Sequence, residues 1–472
     1  MYTKRPRYFI LKKDKTRGYF VLKRDLTYLN HWNNNKNRKP LILRGARQVG
    51  KSTIVRLFAK EAGLKLAEIN LERHPLLNKV FATLDVQEIV SALEAVCNQH
   101  FEDRKTILFL DEIQATPHAI AALRYFYEDR PQLHVIAAGS LLEFVLSDHQ
   151  FSMPVGRVEY HWIRPMSFVE VLEALGEGIL VERWNQFQLD SNWDWPEVLH
   201  EKFWKQYRFY VALGGMPEVV SAYVNGAKEN QIKNILDNII ASYADDFAKY
   251  ARKTELVGLH HIYRQLPHNI GKKLKYSEVM SDTKTNLIKH AVELLAMAGI
   301  IHKVFHSDCS GIPIRAGIDP KIFKIYWLDI GLLNRMNNLS WNAIQSNQPI
   351  LTEGFLAEQF VAQELLAHQK SSDPVPLTYW LREGKANNAE VDFVIQKEMK
   401  LVPLEVKSGS VGTLKSIGQF IAKTSQSHAF RFLNSPPSSR EMKMEIPIGS
   451  TKVQVKCQLT SLPLYFAGKV IV

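Results

Sequence analysis

"LILRGARQVGKSTIVRLF", residues 41–58, decides the fold. An apolar run, "PLIL" at 40–43, leads into a loop with glycine at both ends, and the loop leads into an amphipathic stretch, "STIVRLFAKEA". Gly45 to Ser52 match G-x-x-x-x-G-K-[S/T] at every fixed position. Strand, glycine loop and helix N-terminus form the setting in which that spacing cradles a phosphate. The expected phosphate-contacting residues are Gly45, Ala46, Arg47, Gln48, Val49, Gly50, Lys51, Ser52 and Thr53. Backbone N–H groups close around phosphate oxygens where glycine has no Cβ in the way. Lys51 is expected to reach the terminal phosphates, and the Ser52 hydroxyl to help hold Mg²⁺.

Two further stretches extend this site. "TILFLDE", residues 106–112, reads as a buried strand ending in two acids. Asp111 is expected to hold the magnesium through water, and Glu112 to polarise the attacking water. "LHVIAAGS", residues 133–140, ends in Ser140, placed to sense the γ-phosphate. Phosphate loop, acidic strand and polar-ended strand follow the order of ATPases with an extra strand between the first two. No N-K-x-D stretch is present to read guanine, so ATP is the expected nucleotide. Arg157, in "PVGRVEYHW", follows the sensor strand and its helix, a position from which an arginine of a neighbouring subunit offsets transition-state charge. Arg130 and Arg164 are rivals for that role, and an inter-subunit arginine implies a homo-oligomer.

At this point a resemblance is visible. "LKRDLTYLNHWNNNKNRKPLILRGARQVGKST" (22–53), "LDEIQ" (110–114), "GSLLE" (139–143), "PVGR…RPMSFVEVL" (154–172) and "GGMPEVV" (214–220) occur in this order. The chain resembles bacterial and archaeal AAA-type P-loop ATPases whose C-terminal domain of unknown function carries restriction-endonuclease-like motifs. The resemblance runs from about Leu22 to the end. It implies an ATPase domain with a helical lid around "GGMPEVV". The tandem glycines followed by Pro217 also read, on their own, as a helix stop and a helix start.

Composition narrows the partners. The chain has 472 residues, 46% of them hydrophobic, and a net charge of +12. Residues 1–22 and 251–340 each carry a net of +6, so a polyanion is expected to meet these two regions first. The first of them holds a near-repeat, "YFILKKD" at 8–14 and "YFVLKRD" at 19–25. No run approaches the ~18 apolar residues of a membrane span. Cys97, Cys309 and Cys457 are too few and too scattered for a disulfide framework or a zinc site, which fits a cytoplasmic protein.

Residues 255–335 read as two helices, a turn and a β-hairpin, the pattern of a winged helix. Its second helix is expected to offer Lys284, Asn286 and Lys289 to nucleic acid, DNA before RNA. Farther on, "AEVDFVIQKEMKLVPLEVKSG", residues 389–409, alternates polar and apolar residues on both sides of a turn. Paired as a hairpin, the two strands bring Asp392, Glu405 and Lys407 together in a D-x₁₂-E-x-K pattern. The upstream stretch "EGFLAEQFVAQELLA" reads as an amphipathic helix able to aim Glu358 at the same point. A phosphodiester nuclease needs such acids to bind Mg²⁺, and a lysine beside the attacking water helps it.

The expected fold is α/β: a P-loop ATPase core (23–180) behind a basic extension (1–22), a helical lid (181–250), a winged helix (251–340) and an endonuclease-like α/β domain (341–472). The expected function is Mg²⁺-dependent ATP hydrolysis coupled to nucleic-acid binding and to metal-dependent phosphodiester cleavage. The alternative is an ATP-switched interaction or remodelling protein whose nuclease-like fold only binds a partner.

Overall fold

The computed structural model describes residues 22–140, 142–146, 154, 156–189, 193–249, 251, 255–280, 284–346, 353–369, 375–383, 388–409, 414–448 and 451–471. The near-repeat is therefore described only from Leu22 onward, and the rest of the basic extension lies outside the described residues.

Five short strands form the first sheet: β1 (Leu41–Arg44), β2 (Lys65–Asn70), β3 (Thr106–Asp111), β4 (His134–Ala138) and β5 (Glu159–Trp162). Their order is β2-β3-β4-β1-β5, all parallel. Strand β4, which leads to Ser140, thus lies between the phosphate-loop strand β1 and the acidic strand β3. Ile42, Leu108, Leu110, Val135 and Ala137 enter one core, and Leu41, Leu43, Ile107, Phe109, Ile136 and Ala138 enter the other. Strands buried on both faces need helices on both. The helices Val86–Cys97 and Pro117–Asp129 cover the first face, and Lys51–Ala62 packs Ile54, Val55 and Phe58 against the second.

The second sheet is mixed and has eight strands: β6 (Ile301–Ser307), β7 (Ile318–Trp327), β8 (Thr378–Arg382), β9 (Ala389–Lys397), β10 (Lys400–Val406), β11 (His428–Leu433), β12 (Ser438–Ile448) and β13 (Thr451–Pro463). The order is β12-β13-β11-β10-β9-β8-β6-β7. The hairpin β6–β7, expected as the wing, is not a separate element: β6 pairs in parallel with β8 through Phe305–Thr378 and His306–Tyr379. One sheet therefore crosses the boundary drawn at residue 340 from sequence. Parallel pairing of strands distant in the chain leaves no local signal, whereas the turn between β6 and β7 does. The two preceding helices, Tyr276–Val279 and Thr285–Met297, stand where the spacing put them.

The helix Glu353–Ala367 corrects a second expectation. It is buried nearly all round rather than on one stripe: Leu356, Ala357, Phe360, Val361, Ala362 and Leu365 are core residues, as are Gln359, Gln363 and Glu364. The polar three are tolerated because each meets a backbone N–H, those of Trp327 (2.7 Å), Ile330 (2.9 Å) and Phe168 (2.8 Å) respectively. Phe168 opens the helix Phe168–Ala174, which Ser167 and Glu170 cap reciprocally. The nucleotide-binding sheet and the large sheet consequently share one hydrophobic core through this helix. On the other face of the large sheet, Ile417, Phe420 and Ile421 of the helix Lys415–Thr424 close a separate core.

Candidate functional site

The phosphate loop is held from several sides. Gly45 has φ +134°, and a Cβ there would stand 2.3 Å from the Ile163 carbonyl oxygen; Gly50 has φ +92° and caps the helix Lys51–Ala62. Gln48 adopts φ +60°, a conformation uncommon outside glycine and found where a loop is over-determined by its surroundings. Lys51 is buried, and its ammonium donates to the Gly45 and Ala46 carbonyls at 2.9 and 2.8 Å. Burial pulls its pKa down to about 8, against the opposing pull of Glu112 and Asp111.

The two motifs meet. Ser52 Oγ donates to Asp111 Oδ2 at 2.8 Å across 59 residues of sequence. Burial raises the Asp111 pKa, the Ser52 bond opposes that rise, and the neighbouring Glu112 adds to it. A serine hydroxyl beside a half-buried carboxylate is a hard-oxygen pair of the kind Mg²⁺ takes. Glu112, at φ +52°, accepts from Gln114 Nε2 at 2.5 Å and from Ser140 Oγ at 3.4 Å. Glu112 and Ser140 are thus joined directly.

Several residues of this site were not singled out from sequence. Gln114 orients Glu112. Arg24, bonded to Glu170, donates to the carbonyls of Val49 and Arg164 at 2.9 and 2.8 Å and so clamps the loop from behind. Arg47 bridges Ser140 (3.1 Å) and Asp246 (2.5 Å), while the Tyr243 hydroxyl donates to the Arg47 carbonyl at 2.8 Å. These partners come from the helix Glu229–Asp245 and the residues after it, which ties the middle of the chain to the loop. "GARQVGK" contains Arg47, but nothing local to it names Asp246.

The arginines expected for transition-state charge lie elsewhere. Arg157 is exposed and pairs with Glu128 at 2.9 Å beside Tyr127. Arg130 pairs with Asp103. Arg164 is half-buried, stacks over Trp162 and contacts His302 at 3.4 Å; burial brings its pKa down to about 10. Within one chain, none of the three is bonded to the phosphate loop.

The second constellation assembles around the β9–β10 hairpin. Its register runs from Lys400–Lys397 to Leu404–Phe393, with Glu405 and Asp392 the next residues along the two strands. Strict alternation along β9 fails, however. The pairing with β8 slips by one residue after Thr378–Val394, so that Trp380 pairs with Val391. Val391 and Val394 enter one core while Phe393 and Ile395 enter the other. A bulge of this kind re-aims a side chain, and Asp392 sits inside it. Asp392 accepts from the Val406 N–H at 2.7 Å, and Lys407 pairs with Glu405 at 2.5 Å. Glu358 comes in from the central helix, where it accepts from the Tyr326 hydroxyl at 2.8 Å.

These acids feel one another. Burial and the charge of Asp392 push Glu358 up to about 7 and Glu405 up to about 8. Burial also raises Asp392, with Lys324 the largest opposing influence. Burial works against the charge of Lys407, yet Glu405 and Asp392 hold its pKa above the ordinary lysine value. Glu405 Oε2 is buried without a hydrogen-bond partner. Carboxylate oxygens, one of them orphaned, suit a hard divalent cation chemically. Among the described residues, though, no three His, Cys, Asp or Glu side chains are arranged to hold a metal ion. Lys324, overlooked in the sequence because it sits on the distant strand β7, stands among the acids and pairs with Glu390 and, at 3.7 Å, with Glu358.

Lys284, Asn286 and Lys289 are exposed along the helix that begins at Thr285. Among the described residues, no helix is long and apolar enough to cross a membrane. Cys309 and Cys457 are buried and Cys97 partly so, all three unpaired.

Three family models match successive parts of the chain. A model of an AAA domain matches residues 37–172, and two domains of unknown function, DUF8612 and DUF4143, match residues 204–343 and 353–440. Among solved structures, the Walker-type ATPase paby2304 of Pyrococcus abyssi aligns at 15% identity over 69% of this chain and 98% of its own, with a TM-score of 0.43. PCH-2 of C. elegans aligns at 12% identity over 57% of this chain and 67% of its own, TM-score 0.25. AMPPCP-bound DnaA from Aquifex aeolicus aligns at 12% identity over 59% and 89%, TM-score 0.26. No curated protein matches the sequence. The chain carries an AAA-type P-loop ATPase domain followed by domains of unknown function.

Proposed function

We propose that the chain is a Mg²⁺-dependent ATP hydrolase that uses its nucleotide state to control the C-terminal acidic site. The observation that carries this is the Ser52–Asp111 hydrogen bond, which joins the phosphate loop to the acidic strand in one site. Lys51 and the loop N–H groups bind the β- and γ-phosphates, and their positive charge offsets what develops there during transfer. Ser52 and Asp111 would hold Mg²⁺, which supplies charge neutralisation between the phosphates when bound. Glu112, oriented by Gln114, aligns the attacking water, and Ser140 links that acid to Arg47 and Asp246.

The test is phosphate release from ATP with Mg²⁺ and with EDTA, for wild type, Lys51→Ala and Glu112→Gln. Glu112→Gln should retain ATP binding and lose turnover by about 10²-fold or more, the usual worth of a positioned base. Hydrolysis that survives Lys51→Ala at the wild-type rate would sink the assignment.

A second reading concerns nucleic acid, DNA before RNA, and is favoured by the approach of Glu358, Asp392, Glu405 and Lys407 from three elements. Glu358, Asp392 and Glu405 supply the carboxylate oxygens, but they would have to draw together to hold a divalent cation, which would supply activated water for phosphodiester hydrolysis. Lys407 keeps its proton next to Glu405 and offers positive charge at the same point. Lys284, Asn286 and Lys289 would meet the backbone of the strand. Cleavage of labelled DNA and RNA with Mg²⁺ or Mn²⁺, with and without ATP, should disappear in Asp392→Ala and Lys407→Ala. Cutting that persists in both belongs to a contaminant.

A further inference from the structure

Lys324 is 1% exposed, yet it lies on β7 at the edge of the large sheet. Its ammonium pairs with Glu390, stands 3.7 Å from Glu358 and lies 5.2 Å from the Tyr379 ring centroid. The cluster therefore contains four carboxylates (Glu358, Glu390, Asp392, Glu405) and two ammoniums (Lys324, Lys407). The carboxylates thus outnumber the ammoniums, and all of them but Glu390 are largely buried. Lys324 draws Glu358 and Glu390 toward a single positive charge, and no three of the acids are arranged around a metal position.

We propose that Lys324 is an internal counter-ion that holds the acidic centre closed to divalent cations, competing with metal for Glu358 and its neighbours. The proposal rests on the reading of Glu358, Asp392 and Glu405 as a cation site. It also gives the nucleotide site a route to that centre. Strand β6, the hairpin partner of β7, begins just after Gly299, where a Cβ would lie 3.4 Å from Ala46 of the phosphate loop, and carries His302 against Arg164. The phosphate loop thus lies beside one end of the hairpin whose other strand carries Lys324.

The experiment is Mn²⁺ binding to the full chain, followed by electron paramagnetic resonance of free Mn²⁺. All variants carry Asp111→Asn to silence the nucleotide-linked metal. Against that background Lys324→Met should bind Mn²⁺ at least tenfold more tightly, and adding Asp392→Asn should abolish the gain. Lys324→Gln with Glu390→Gln removes the ion pair as a unit and should show the same gain if Lys324→Met fails to fold. Asp392-dependent Mn²⁺ binding that is equally tight with and without Lys324 would overturn the proposal while leaving the cation site standing. No Mn²⁺ binding in any folded variant would overturn both. Tight binding in the Lys324 variants without cleavage of DNA or RNA would uphold the counter-ion and sink only the nuclease.

Discussion

Gly45 shows how far a single position can constrain this chain. Its φ of +134° suits glycine, and the Ile163 carbonyl oxygen occupies the space a side chain would need. Gly45→Ala should therefore cost about 1–3 kcal/mol of stability, the usual worth of a backbone held where L-residues are strained. The loss is expected as a lower thermal midpoint together with at least tenfold weaker ATP binding. A variant that binds ATP as wild type does would show that the loop relaxes freely. Lys51, Ser52, Asp111 and Glu112 were legible from sequence because their chemistry is written in contiguous motifs. Gln114, Arg24 and Asp246 were not: Gln114 holds Glu112, while Arg24 and Asp246 reach the loop through contacts that folding alone creates.

At the scale of elements, the helix Glu353–Ala367 is the most consequential. Its Glu364 is completely buried, accepts the Phe168 N–H at 2.8 Å and lies 3.7 Å from His368. Burial pushes the Glu364 pKa from 4.5 up to about 7, with His368 acting in the opposite direction. An acid raised on folding binds its proton more tightly in the folded chain. Its contribution is most favourable below pH 4.5 and is lost as pH rises from there to about 7. The penalty above pH 7 is of the order of 3 kcal/mol for a shift of this size. Glu364→Gln keeps an acceptor for Phe168 and should flatten the decline in thermal midpoint between pH 5 and 7. An unchanged pH profile would mean that another group governs it. The sequence located this helix but not its burial, because glutamines and a glutamate on a helix read as solvent-facing until their backbone partners are known.

For the whole molecule, one core runs from β1 and β3 through the helix Phe168–Ala174 to the central helix and the large sheet. The residues after β13 extend it: the segment Leu464–Val470 is wholly buried, with Phe466 stacked on Phe187 at 3.8 Å and Trp184 donating to the Tyr465 carbonyl at 2.9 Å. A nucleotide-driven change therefore has packed side chains on both sides of every junction through which to act. Arg157 is exposed and pairs with Glu128 rather than with the phosphate loop of its own chain. If a neighbour completes the site, ATPase activity per chain should rise with protein concentration and fall by about 10³-fold in Arg157→Ala, as for an arginine supplied in trans. A rate independent of concentration and untouched by Arg157→Ala would place the reaction within one chain.

What the sequence determined by itself is the nucleotide site and the pairing of β9 with β10. Both follow from short-range order: glycines where the backbone must turn or pack closely, apolar runs where strands are buried on both faces, and a turn between two strands. Only the tertiary structure decided that β6 and β7 complete the large sheet, that β9 bulges at Asp392, and that Lys324 stands among the acids. Those outcomes depend on parallel pairing between distant strands and on charges brought together in a dry interior. Neither leaves a periodic trace along the chain, because the free energy that selects them comes from burial shared between segments far apart in sequence.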